Sequence, residues 1–244
     1  MPWVSLRRNV FMTTRPTDVP ASAREVLPPL ENFAAELITA YPTEQWWPAE
    51  TSFEVMAGAV LVQNTRWSNV ERALAQLRAA NCLSAEAISS CPPERLQVLI
   101  QSAGCQSVKA LRLGNLAQWL VDFGGHRQIA KTHTDELRTQ LLGINGIGPE
   151  TADAILNFAC GRPVFVADRY AQRLFARLGY LNGGGKTGRY EAVRAMLEAA
   201  MQGRAQALQD LHAATVLHCQ QVCGGVPRCS LCPFQRCCQR NRAG

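Results

Sequence analysis

Apolar residues recur at helical rather than alternating spacing along most of the chain. The pattern is plain in "LENFAAELITAY" (30–41), "SFEVMAGAVLVQN" (52–64) and "SNVERALAQLRAA" (68–80), where one face of a helical period collects the Leu, Val, Phe and Ala positions. The same period predicts helices over 93–102, 107–122, 134–142, 149–159, 168–178, 189–201 and 204–222. Ser52, Ser68 and Thr134 stand where N-caps are expected, with Pro93 and Pro149 at first-turn positions. Gly104, the Gly124–Gly125 pair, Gly161 and Gly179 mark stops. "PVFVAD" (163–168) has the composition of a strand, but with no second strand nearby it reads as an extended connector. "NGGGKTG" (182–188) reads as a loop, since no strand precedes it at the spacing a phosphate loop needs. The chain shows no internal repeat, and the pattern predicts an all-α fold.

With 244 residues the chain can form one domain or two modest ones, and either buries a real core. A hydrophobic content of 47% against 18% charged residues excludes a disordered chain. The formal charge is +6, and the cations are lopsided: Lys109, Lys131 and Lys186 are the only lysines beside twenty-two arginines. Guanidinium forks suit bidentate phosphate contacts, so the balance points to a polyanionic partner. No apolar run is long enough to span a membrane. The first twenty residues carry arginines without an apolar centre or a cleavage site, so they read as a loose tail, with Met12 as an alternative start. A cytoplasmic location follows as the expectation. Cys82, Cys91, Cys105 and Cys160 are scattered, whereas six cysteines crowd into the last twenty-six residues. In a reducing compartment such a crowd predicts a metal centre rather than disulfides.

In "LLGINGIGPETADAIL" (141–156) one helix ends near Leu142 and another begins at Pro149. Gly146-Ile147-Gly148 permits a tight turn whose backbone approaches a ligand without Cβ interference. The unpaired amides of the new first turn carry the positive end of the helix dipole and can hold a phosphate. The isoleucines anchor the turn in the core. This is the helix–hairpin–helix pattern, a sequence-neutral grip on a DNA backbone. An ordinary helix corner with a glycine C-cap is the other reading of the glycines alone.

"GINGIGPETADAIL", the aspartate of "VFVADRY", "AVLVQNTRWSNVERAL" and the terminal cysteines together resemble the helix–hairpin–helix DNA glycosylases of the endonuclease III superfamily, over roughly residues 30–240. "WWPAETSFEV" (46–55) looks closest to the endonuclease III-like, 3-methyladenine-glycosylase-related branch. In that family, bifunctional members place a lysine where this chain has Glu150. The lysine attacks the sugar C1′, forms a Schiff base and leads to strand cleavage; members without it use water. The resemblance therefore implies a monofunctional enzyme. On its own chemistry Glu150 is either a favourable first-turn acid or a residue that orients water.

Asp168, eighteen residues past Glu150, matches the family's aspartate. Breaking an N-glycosidic bond develops oxocarbenium character on the deoxyribose, which a nearby carboxylate stabilises while it orients or deprotonates water. The same residue stands where it would N-cap the helix that follows. The target base must leave the duplex. Gln63 matches the family glutamine that fills the gap, and "AGCQSVKA" (103–110) corresponds to the loop that supplies an apolar wedge. Here Cys105 and Gln106 occupy its tip, and the usual bulky residue is missing. Gln63, Gly146, Ile147, Gly148, Thr151 and Gln106 are thus the candidate DNA contacts. Trp46, Trp47 and Trp67 are either base-pocket walls or core, with core expected for at least two.

"CGGVPRCSLCPFQRCC" offers Cys223, Cys229, Cys232 and either Cys237 or Cys238; with Cys238 the gaps are five, two and five residues. Zinc sites commonly use two separated pairs, whereas one compact loop suits a cubane iron–sulfur cluster. The family's usual gaps are six, two and five, so the first is one residue short. His218 on the preceding helix is left out of the ligand set, and His126, His133 and His212 show no ligand spacing. Arg228, Arg236 and Arg240 decorate the loop and can meet phosphates.

The expected molecule is all-α and two-lobed. The resemblance divides it into a flexible tail (1–29), a helical barrel ending in the hairpin (50–162) and an iron–sulfur domain built from 30–49 plus 163–244, with Asp168 facing the groove. The expected function is hydrolytic removal of a damaged base. Asp168 and Glu150 are the candidate catalytic residues, and Cys223, Cys229, Cys232 and Cys238 the ligands of a 4Fe–4S cluster. The expected partner is double-stranded DNA carrying a damaged base, bound by a cytoplasmic, nucleoid-associated monomer with no membrane contact. The rivals are a glycosylase/AP lyase that recruits another amine and a non-catalytic damage-binding protein. The identity of the base stays open.

Overall fold

The structure, a computed structural model, describes residues 27–44, 46–181 and 186–242. Most of the predicted tail (1–26) and part of the predicted loop (182–185) lie outside the described residues. Within them the regular structure is entirely helical. The helices are α1 (Leu30–Thr39), α2 (Ser52–Leu61), α3 (Trp67–Ala79), α4 (Ala85–Ser89), α5 (Pro93–Leu99) and α6 (Gln106–Phe123). They continue with α7 (Gly125–Lys131), α8 (Thr134–Leu142), α9 (Pro149–Ala154), α10 (Arg169–Leu178), α11 (Lys186–Ala200), α12 (Ala205–Gln221) and α13 (Gln239–Arg242).

Several boundaries differ from the sequence expectation. The predicted helix 93–102 divides into α5 and a 3₁₀ turn at Gln101–Ala103, while 149–159 is α9 continued by a π-helical turn at Ile155–Ala159. α4, α7 and α13 are too short to show a period. α11 begins at Lys186, inside the stretch expected to be loop. The caps also move. Thr51, not Ser52, caps α2 by accepting from the Glu54 amide at 3.2 Å, and the Glu54 carboxylate accepts from the Glu50 amide at 2.9 Å. This near-capping box satisfies two orphan amides, an advantage that Ser52 one residue later lacks. Arg66 and His133 precede α3 and α8 without side-chain caps, so Ser68 and Thr134 lie inside their helices. Pro93 and Pro149 stand in first turns as expected.

Two apolar cores form. The first collects Met56, Val60, Leu61, Leu77, Leu113, Leu137 and Ile155, from helices between α2 and the π turn. The second joins α1 to the C-terminal part of the chain: Phe33 is fully buried against Phe175 (ring centroids 5.9 Å apart) and Phe234 (4.7 Å). Burying such a ring stabilises by about 2–3 kcal/mol, enough to hold the first helix on distant sequence. The cores are tied by Arg138 of α8, whose guanidinium donates to both Asp153 oxygens at 2.7 and 3.1 Å and to Glu191 of α11 at 2.9 Å. Tyr190 donates to the fully buried Asp153 at 2.8 Å, so that carboxylate is satisfied despite its burial.

The connector 163–168 has no partner strand and is buried over 164–167, so its backbone groups there must find other partners. Side chains supply them. The Phe165 amide donates to Glu198 at 2.9 Å, Asn157 donates to the Val164 carbonyl, and Gln172 donates to the Ala167 carbonyl at 2.8 Å. His212 Nδ1 lies 3.1 Å from the Val166 carbonyl. The result is a rigid lead into Asp168.

Candidate active site

An open cleft of about 1920 Å³ runs between the hairpin, the 62–66 loop, the end of the connector and α12. It exceeds the several hundred Å³ typical of a small-molecule pocket and has the scale of a macromolecular groove. Gln63, Gly146, Ile147, Gly148, Glu150, Thr151 and Asp168 all line it. Gln106 does not: it opens α6 directly after Cys105, which sits in the left-handed region (φ 47°).

Asp168 is the N-cap of α10, accepting from the Ala171 amide at 2.8 Å. The capping residue also lines the cleft, so one side chain both holds a helix start and faces the groove. Burial raises its pKa from 3.8 to about 6, against the opposing pull of the Ala171 and Tyr170 amides and of Arg173 and Arg169. Glu150 lies in the first turn of α9. Desolvation in the cleft and then the Asp168 carboxylate raise its proton affinity, opposed by His212 and Arg169. Two carboxylates on successive helix starts thus share one groove, with Arg66, Arg112 and Arg169 among its lining.

The hairpin is braced from α6. Gly146 has φ +92°, and a Cβ there would fall inside the Arg112 side chain. Arg112 in turn donates to Gln63 Oε1, and Gln63 Nε2 donates to Thr151 Oγ1 at 3.0 Å and to the Gly146 carbonyl at 3.3 Å. Asn115, one turn along α6, donates to the Asn145 carbonyl at 3.3 Å. Gly148 by contrast has open space at the Cβ position, beside the first-turn amides of α9. Ile147 is buried in the first core.

Arg112 and His212 were not singled out by sequence. Nothing local marks Arg112, one of many arginines. His212 did leave a signal: an ionisable ring in the apolar helix "LHAATVLHC" must find a partner or a purpose. Trp46, Trp47 and Trp67 all line the cleft, while Trp47 and Trp67 also pack on the first core, edge to face at 5.2 Å. They serve as wall and core at once.

A second recess is lined by Cys223, Cys229, Cys232 and Cys238 together with His218, Arg177 and Arg240. Cys237 turns away, packs in the second core and donates its thiol to the Phe234 carbonyl at 3.4 Å. Arg177 knits the loop, donating to Cys223 Sγ at 3.3 Å and to the Gly224 and Gly225 carbonyls at 2.6 and 2.8 Å. His218 is fully buried, paired with the Tyr41 hydroxyl at 2.7 Å and 3.8 Å from Cys232 Sγ. Burial and the nearby Cys223, Cys238 and Cys229 push the Cys232 thiol up to about 12. Among the described residues, no three His, Cys, Asp or Glu side chains close around a point that could hold a single metal ion. Four cysteines lining one recess are nevertheless the kind of donor set that a polynuclear thiolate-bound group takes.

Residues 57–202 match the HhH-GPD superfamily of base excision DNA repair proteins. The chain belongs to this family. MJ1434 of Methanocaldococcus jannaschii, whose name is that of a DNA repair glycosylase, is 38% identical over 205 residues, covering 83% of this chain and 92% of the relative. Endonuclease III of Thermotoga maritima is 30% identical over 153 residues, covering 62% and 67%. Among solved structures, the Helicobacter pylori 3-methyladenine DNA glycosylase bound to 1,N6-ethenoadenine superposes with a TM-score of 0.66 at 28% identity, over 78% of this chain and 94% of that one. A non-covalent endonuclease III–DNA complex gives 0.69 at 20% identity, over 87% and 94%, and so shares the fold.

Proposed function

We propose that this DNA repair glycosylase is monofunctional: it removes a damaged base from duplex DNA by hydrolysis and leaves an intact abasic site. The observation that carries this reading is the pair of carboxylates, Asp168 and Glu150, facing one groove whose described lining contains no lysine. The hairpin amides beyond Gly148 hold a backbone phosphate, Asp168 sets its charge against the developing oxocarbenium ion, and Glu150 orients the attacking water and accepts its proton. A carboxylate cannot form an imine with C1′, so strand cleavage does not follow. Gln63, steadied by Arg112 and Thr151, stands beside the hairpin where the gap left by the extruded base must be filled. DNA-bound relatives of the same fold support the duplex as partner.

Cys223, Cys229, Cys232 and Cys238 are the residues that would hold a 4Fe–4S cluster. When bound, such a cluster supplies thiolate–iron cross-links that fix the 223–238 loop, and it takes no part in base removal. The shared recess and the inward turn of Cys237 support this ligand set.

The test is a panel of duplexes bearing 3-methyladenine, hypoxanthine, uracil or thymine glycol. Release of one base with strand scission only after alkali supports the reading. Scission without alkali, with a borohydride-trapped adduct, supports the lyase alternative.

A further inference from the structure

The base-excision reading leaves a buried ionisable ring of the cleft without a task. His212 is 7% exposed, sits on α12 and lines the groove near Glu150 and Asp168. Its ring is held by aromatic edges: Trp46 at 6.4 Å, Phe158 at 5.6 Å and Phe165 at 6.1 Å between centroids. The one hydrogen bond it makes is from Nδ1 to the Val166 carbonyl, at 3.1 Å. A carbonyl only accepts, so Nδ1 carries the proton. Burial lowers the ring's pKa to about 4, which leaves it neutral at physiological pH. A neutral imidazole protonated on Nδ1 presents a bare lone pair on Nε2. Among the described residues Nε2 has no hydrogen-bond partner, and it is not one of the sealed, unsatisfied polar atoms. It therefore opens to the cleft.

The tautomer is fixed by the fold rather than by chance. Val166 belongs to the connector whose Val164, Val166 and Ala167 carbonyls are each met by a side chain, and it stands two residues before Asp168. The same contact that steadies the connector aims an acceptor into the space an extruded base would enter. The π-helical turn at Ile155–Ala159 brings Phe158 against both His212 and Trp47, closing the recess with aromatic faces.

We infer that His212 is a specificity-determining residue of this glycosylase site: its Nε2 accepts a hydrogen bond from an N–H on the extruded base, so bases that present such a donor are favoured over otherwise similar bases that lack one. The inference rests on the proposed base-excision function. Its energetic basis is that a buried acceptor left unpaired by the wrong ligand is costly, whereas a paired one discriminates by about ten- to a hundredfold.

Matched pairs that differ only at the donor test it: hypoxanthine against 1-methylhypoxanthine, and uracil against 3-methyluracil, each in the same duplex. Single-turnover release and lesion-duplex affinity are measured for the parent, His212→Phe and His212→Gln. The parent is expected to favour the N–H member of at least one pair. His212→Phe keeps the aromatic packing but loses both the acceptor and the Val166 contact, so any loss from the contact is common to both members, and the N–H member should fall at least about tenfold further than the methylated one. His212→Gln offers an amide N–H to Val166 and an oxygen to the base, and should restore most of the preference. Equal losses for both members, or none, in an active protein would overturn the inference alone and leave His212 as a brace for the connector. A parent that neither releases nor preferentially binds any of the four bases overturns the inference, and the lesion panel then decides separately whether the base-excision reading survives.

Discussion

Asp168 caps α10 and Glu150 opens α9, and the Asp168 carboxylate raises the proton affinity of Glu150 across the cleft they share. Each helix start stabilises an anion, yet the groove desolvates both. With Asp168 near 6, base release should rise about tenfold per pH unit below pH 6 and level off above it. A single-turnover pH profile checks this. Glu150→Gln should be slower but keep the rise near pH 6, because that ionisation belongs to Asp168.

The same shift predicts a stability cost. The folded-state pKa of Asp168 lies above its unfolded value of 3.8, so the folded protein binds the proton more tightly. The cost is absent below about pH 4, grows as pH rises, and is complete above about 6. Asp168→Asn keeps the cap to Ala171 and removes the charge. It should therefore be about 1–2 kcal/mol more stable than the parent at pH 7.5, a gain that vanishes by pH 4. Urea titrations at the two pH values measure it; an Asn variant less stable at pH 7.5 would show that the carboxylate is not strained by its site.

The two hairpin glycines should separate fold from function. Gly146→Ala forces a side chain at φ +92° and displaces Arg112 from Gln63, so both stability and DNA affinity should fall, stability by about 1–2 kcal/mol. Gly148→Ala meets open space at an ordinary φ of −94°. It should melt like the parent and lose only DNA affinity, equally on all sequences, because the methyl group stands where a phosphate must approach. Thermal melts beside binding isotherms distinguish the two.

Adjacent cysteines should behave differently. Cys238→Ser should give colourless protein lacking the broad absorbance near ~400 nm expected of a cubane cluster. Cys237→Ser should keep the colour and lose some stability, because Cys237 packs in the core. The reverse result would reassign the fourth ligand. Colourless parent protein with stoichiometric zinc would remove the cluster from the account.

Much of this was legible in the sequence because it depends on local rules. The long amphipathic helices, Pro149 at a first turn and Asp168 at a cap are written in spacing and side-chain chemistry. Thr51 outcompeting Ser52 was less visible, because the choice rests on a reciprocal bond from Glu54. Cys237 and Cys238 could not be told apart, since only the second core decides which thiol turns inward. Arg112 and His212 were missed for the same reason: each acts through residues at least forty-six positions away, on Gln63 or on Val166. Conversely, Gln106 was expected among the DNA contacts on the strength of its loop alone, and in the fold it opens α6 and is not part of the cleft lining.

The central claim is that the Asp168 charge drives hydrolysis of the glycosidic bond. Its most direct test is single-turnover release, at pH 7.5, of the base that the parent excises fastest, compared between the parent and Asp168→Asn with duplex affinity measured in the same titration. The account predicts unchanged affinity and a loss of release of at least a hundredfold, about 3 kcal/mol in the barrier. An Asn variant that releases the base within a few-fold of the parent would contradict it.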